Sequence, residues 1–187
     1  MKNGADILKN RMRSLMAGRL SPAQVADLRT LAWADGSGMG LEALYSLSSD
    51  ADERVSVNAL YVFTHFSDEE LRWLLPKHDE LVHRAMEETN TTRLRLTLWL
   101  LLHQPFCEDD LCAEFIDFCL NGCCASSQPY AIRAQCMKLA YEQCRHYPEL
   151  LDELRRILEM LAEEPLSAGV ESARRQVLSK IRKHGER

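Results

Sequence analysis

Leu94-Arg95-Leu96-Thr97-Leu98-Trp99 and Ile132-Arg133-Ala134-Gln135-Cys136-Met137 decide how this chain is read, because they stand 38 residues apart and open with the same pairing of an aliphatic residue and arginine. The beat extends in both directions. Val55 lies 39 residues before Leu94, and Val170 lies 38 after Ile132. Seven and eight residues beyond each anchor the chain is again apolar: Val62 and Phe63, Leu101 and Leu102, Leu139 and Ala140, Val177 and Leu178. At 3.6 residues per turn, positions i, i+7 and i+8 fall on one helix stripe. A fixed period of this length is the pattern of helical pairs stacked side by side.

Helix signals fill the intervals. Alternation of period two never persists, so no strand is expected. A first helix is expected over about Ala5 to Arg19. Ser21-Pro22 starts a second, with serine as N-cap and proline at the first helical position. The glycines at 36, 38 and 40 read as a flexible link before a short helix, Leu41 to Leu47. They lack the preceding strand and following Gly-Lys-Ser/Thr of a phosphate loop. Ser67 and Glu70 have the spacing of a capping box. Pro76 interrupts the helix that follows, because it supplies no N–H. Glu108, Asp109 and Asp110 suit the positive end of the next helix, which Asn121-Gly122 is expected to stop. Pro148 opens the partner of the third repeat.

The last unit departs from the others at one informative place. Four and five residues after the anchor, earlier units carry Ala59 and Leu60, Leu98 and Trp99, then Cys136 and Met137; here stand Arg174 and Arg175. A terminal repeat has no neighbour on its outer side, so part of its face must be polar. The expected organisation is a single domain over residues 1–187, with a divergent cap at 1–49, three repeats at 50–165 and a capping helix at 166–187.

The aligned leading helices, Val55-Ser56-Val57-Asn58-Ala59-Leu60 with the two stretches quoted first, resemble those of the armadillo/HEAT-type α-solenoids over about residues 50–184. The resemblance implies an all-α fold, a right-handed α-α superhelix of about four stacked helical pairs with divergent ends, and a concave binding face. One branch of that superfamily, the bacterial DNA alkylation repair glycosylases, binds through a basic groove with tryptophan and an acidic residue. Trp33, Trp73 and Trp99 occur here without a signature that ties one to an aspartate.

Charge narrows the partner class. The formal net charge is −5. Residues 1–34 and 166–187 each carry +4, while residues 35–165 carry −13. An acidic middle disfavours a phosphate backbone, whose binding depends on counterion release to lysine and arginine. The longest fully apolar run, Leu98 to Leu102, is far short of the ~20 residues of a membrane helix. The amino terminus lacks the apolar stretch of a signal peptide. The seven cysteines then read as reduced thiols, and the expected compartment is the cytoplasm.

Motifs for chemistry are weak. Cys112, Cys119 and Cys123 have spacings that place them on one helical face, yet no CxxC or HxxxH pair accompanies them, and small buried hydrophobes are the plainer reading. His103 and Cys107 are separated by Pro105 and lack an orienting third group. No catalytic residue, metal ligand or cofactor is expected. The expected function is a non-enzymatic scaffold that binds a protein or peptide. Its binding residues are the outward positions of the second helices: Glu80, Arg84 and Glu87, then Glu114 and Asp117, then Asp152, Arg156 and Glu159. This mostly acidic strip suits a basic or mixed-charge partner. The alternative is a nucleic-acid binder resembling the alkylation-repair proteins and using the two basic ends, where Arg174, Arg175, Lys180, Arg182 and Lys183 cluster.

Overall fold

A computed structural model describes residues 2–34, 36–107, 111–163 and 165–185. It is all-helical, with no strand among the described residues. The chain divides into two compact units, Met1–Leu74 and Leu75–Arg187.

The first unit contains α1 (Lys2–Met16), α2 (Pro22–Trp33), α3 (Met39–Leu47), α4 (Glu53–Phe63) and the single turn α5 (Asp68–Leu71). Its core joins Met12, Met16, Leu28, Leu44 and Phe63, all essentially inaccessible. Each such side chain contributes about 1.5–3 kcal/mol on burial. Local chemistry sets the helix starts. The Ser21 side chain accepts from the Gln24 N–H at 3.3 Å, and the Gln24 side chain accepts from the Ser21 N–H at 2.9 Å. Ser67 and Glu70 repeat this reciprocal box at α5. Asn58 on α4 donates to the carbonyls of Met16 and Gly18 at 2.7 and 2.9 Å, satisfying groups that the end of α1 leaves open. Gly40 is not part of a loose link: it lies inside α3, where a Cβ would meet the carbonyl oxygens of Leu31 and Ala32 at 2.6 Å.

A 3-10 turn, Arg72–Lys77, surrounds Pro76. The second unit then contains α6 (His78–Glu87), α7 (Thr91–Leu102), α8 (Ala113–Cys124), α9 (Tyr130–Cys144), α10 (Pro148–Met160) and α11 (Ala168–Gly185). Here α7 packs on α9 and α9 on α11, so the leading helices form one layer; α6 lies against α7 and α8, α8 against α9, and α10 against α9 and α11. The anchors of the 38-residue beat are buried throughout: Val55 and, in this unit, Leu94, Ile132 and Val170. Asn90 caps α7 by accepting from the N–H groups of Thr92 and Arg93, both at 3.0 Å.

Two boundaries differ from expectation for physical reasons. Helix α8 begins at Ala113, with Cys112 as an extended N-cap residue; the acidic run at 108–110 lies outside the described residues, and Leu111 is exposed. At its other end α8 continues through Asn121 and Gly122 to Cys124. Gly122 does not stop the helix. A Cβ there would stand 2.6 Å from the sulfur of Cys136 and 3.3 Å from its Cβ, so glycine lets α8 and α9 approach closely.

Candidate interaction surface

The strip residues fall on three helices of the second unit. Glu80, Arg84 and Glu87 lie on α6, Glu114 and Asp117 on α8, and Asp152, Arg156 and Glu159 on α10. All are exposed except Arg84, which is half-buried. Opposite them on the same helices, Leu81 and Ala85, Phe115 and Cys119, and Leu154 and Leu158 are fully buried. The amphipathic stripe thus dictates which way the charges point.

The charges are not equivalent. Glu80 and Glu87 lie on α6 and Glu114 and Asp117 on α8, two helices that touch. No ion pair among the described residues involves Glu80, Glu87 or Asp117. The Glu114 carboxyl is held below its ordinary pKa by its own backbone N–H, then by the Cys112 thiol and the nearby His83. On α10 the arrangement is closed. Arg155 donates to Asp152 at 3.4 Å and to both oxygens of Glu159 at 3.3 Å. Its neighbour Arg156 adds a second positive charge, so the α10 segment is balanced where the α6–α8 segment is acidic.

His83 and Arg155 both shape this surface, and neither stood among the expected binding residues. The spacing of Asp152, Arg155 and Glu159 at i, i+3 and i+7 signals the α10 pairing in the sequence. His83 approaches Glu114 only because α6 and α8 pack together.

Several cations of the basic ends are held within their units. Arg13 forks onto Asp50 at 2.9 and 3.1 Å, and Arg29 onto Glu70 at 3.0 and 2.7 Å. Arg174 binds Glu171 at 2.8 Å and the Leu158 carbonyl at 3.2 Å. Arg175 also reaches Glu171, and Lys180 reaches Glu142 while lying over the Tyr141 ring.

Cys112 does not share a helical face with Cys119 and Cys123. Cys112 precedes α8, while Cys119 and Cys123 are buried in it and face Cys136 and Cys144 of α9. Burial pushes the Cys119 and Cys123 thiols far up and Cys144 up to about 12, which keeps them protonated and unreactive. No group of three His, Cys, Asp or Glu among the described residues is arranged to hold a metal. His103 stacks on Trp99 with ring centroids 3.7 Å apart. Trp33, Trp73 and Trp99 likewise sit among rings: Trp33 on Phe66, Trp73 against Tyr45 and Phe63.

The profile of the HEAT repeat domain family matches residues 12–181. The chain belongs to the HEAT repeat domain family. No curated protein and no solved structure matches it. A HEAT repeat domain is a helical scaffold of the kind that mediates protein interactions. No helix among the described residues is long and apolar enough to cross a membrane.

Proposed function

We propose that this HEAT repeat protein is a non-enzymatic scaffold that docks a basic segment of a partner protein on the α6–α8 face. The observation that carries the reading is the set of exposed carboxylates at Glu80, Glu87 and Asp117, which have no ion pair among the described residues, together with Glu114. Asp152, Arg156 and Glu159 on α10 contribute less, because Arg155 already bonds both carboxylates.

The test is a titration of a fluorescein-labelled lysine/arginine-rich peptide, read by anisotropy. Screening weakens contacts between exposed charges beyond about 8 Å at physiological ionic strength, so the expected affinity falls steeply with added salt. Glu114→Lys with Asp117→Lys is expected to weaken binding by about tenfold or more, since like charges at an interface repel. Asp152→Lys with Glu159→Lys is expected to do so to a smaller extent. Binding indifferent to salt and to both double variants would end the proposal.

A further inference from the structure

Where α9 ends and α10 begins, the chain meets the last turns of α11 and leaves a cleft of about 550 Å³. Its floor is apolar: Pro148, Leu151 and Ile181. Its rim is basic, with Arg145, Arg155, Arg182 and His184, and among the described residues the one acidic residue lining it is Asp152. We infer that this cleft docks an acidic peptide segment of a partner protein, seating an aliphatic side chain on the floor and a carboxylate on Arg182.

The rim cations differ in availability. Arg145 is held by Glu142 at 2.9 Å and by the Phe106 carbonyl at 2.9 Å. Arg155 is held by Asp152 and Glu159. Arg182 is exposed and makes no hydrogen bond or ion pair among the described residues. Its planar fork is therefore open to a carboxylate, which it matches with two parallel hydrogen bonds. The held arginines are fixed by their own carboxylates, so they form rigid polar walls and leave the charge that draws a ligand to Arg182. An aliphatic side chain covering Leu151 and Ile181 supplies the apolar part of the binding.

The same facts favour a peptide over nucleic acid. A phosphate backbone needs a row of available cations. In α11, Arg174 and Arg175 are on Glu171 and Lys180 is on Glu142, and the Asp152 carboxylate on the rim repels a continuous polyanion. A short segment with one or two carboxylates placed beside an aliphatic residue meets neither obstacle. The site lies apart from the α6–α8 face and takes a ligand of opposite charge, so the two readings stand or fall separately.

The experiment titrates the full chain with a fluorescein-labelled glutamate/leucine peptide, and in parallel with single-stranded DNA. The expected result is saturable peptide binding that Arg182→Glu weakens by about tenfold or more, because the variant loses charge-assisted hydrogen bonds and gains a repulsion. Arg182→Gln, which keeps size and polarity, should weaken it less. Lys183→Glu makes the same change in net charge one residue away, outside the cleft lining, and should leave affinity within about threefold, since only screened interaction is lost. Replacing leucine by serine in the peptide should also weaken binding. Absence of peptide binding, equal losses in the Arg182→Glu and Lys183→Glu proteins, or DNA binding that depends on Arg182 without peptide binding would each overturn the inference. Affinity for the basic peptide, which reports the α6–α8 face, serves as the control in every variant.

Discussion

Gly122→Ala is the sharpest probe of how α8 and α9 meet. In a helix interior alanine is favoured over glycine by about 1 kcal/mol. A reading of the helix alone therefore expects stabilisation. The structure expects the reverse. The new Cβ would lie 2.6 Å from the Cys136 sulfur, closer than non-bonded carbon and sulfur tolerate. Cys136 is itself fully buried, with Cys119 beside it, so turning its sulfur away disturbs a packed core. Overpacking of this kind costs roughly 1–3 kcal/mol. After the propensity gain, the net expectation is destabilisation of about 1 kcal/mol, with an upper end near 2 kcal/mol. Removing the obstructing sulfur should reverse the sign. In a Cys136→Ala background only a 3.3 Å Cβ contact remains, and Gly122→Ala should become neutral or stabilising by up to about 1 kcal/mol. Urea unfolding of the four proteins, followed by helical circular dichroism and by hydrogen exchange in α8 and α9, measures the cycle. Stabilisation by Gly122→Ala in the parent protein, or destabilisation of equal size in both backgrounds, would refute the close-approach argument.

Other outcomes follow from single contacts. Arg133 is buried, and its Nε donates to the Cys123 carbonyl at 3.0 Å. Arg133→Met should destabilise the second unit by about 1.5–3 kcal/mol in urea unfolding, since the last turn of α8 loses a charged donor. Asn90→Ala removes the cap of α7 and should cost about 1 kcal/mol, read as a lower thermal midpoint. Burial would raise the Glu70 pKa, but the Ser67 N–H, Arg29 and the Ser67 hydroxyl together hold it below 4.5; at Asp50 the Arg13 side chain, then the Asp52 N–H, hold it below 3.8. Both folded values lie below the unfolded ones, so this stabilisation is complete above the unfolded values and fades as pH falls through the folded ones. The first unit should lose stability on acidification below about pH 4.5, and Glu70→Gln should flatten that acid limb in melts from neutral pH down. Alkylation mapped by mass spectrometry at mildly alkaline pH should modify exposed Cys107 and Cys124 first and leave Cys119, Cys123, Cys136 and Cys144 intact until the protein unfolds.

What could be read from the sequence depended on the range of the interaction involved. The buried stripes at Val55, Leu94, Ile132 and Val170 follow from helical periodicity alone, and the Ser21 and Ser67 boxes and the Pro148 start are decided within four residues. Gly122 and Gly40 were read as punctuation because glycine usually ends or loosens a helix. Their actual role comes from residues far along the chain, Cys136 in one case and the α2 carbonyls in the other, and no local pattern carries it. The start of α8 was misjudged because the acidic run before it matches a helix N-terminus, whereas the helix starts after Cys112. The outward positions of the strip were legible as the polar side of each stripe. Which of their charges remain available was only half so: the Arg155 clasp is written in i, i+3 and i+7 spacing, but the meeting of His83 with Glu114 needs α6 and α8 to be side by side.

The distribution of paired and unpaired charge makes the second unit more than an acidic surface. On α10 every strip carboxylate faces an arginine one turn away, and along α11 Arg174 and Arg175 face Glu171 and Lys180 faces Glu142. Such exposed pairs add little to stability, typically 0–1 kcal/mol each, so their main physical effect is to cancel local field. Where the cancellation fails is then informative. It fails for carboxylates on α6 and α8, and for the guanidinium of Arg182 beside an apolar floor. Net charge could not reveal this, because unpaired groups of both signs partly offset one another. A scaffold that sets carboxylates without an ion pair among the described residues on α6 and α8, and an open guanidinium beside an apolar floor, is suited to hold two dissimilar segments, and each can be tested by reversing a charge that no described ion pair requires.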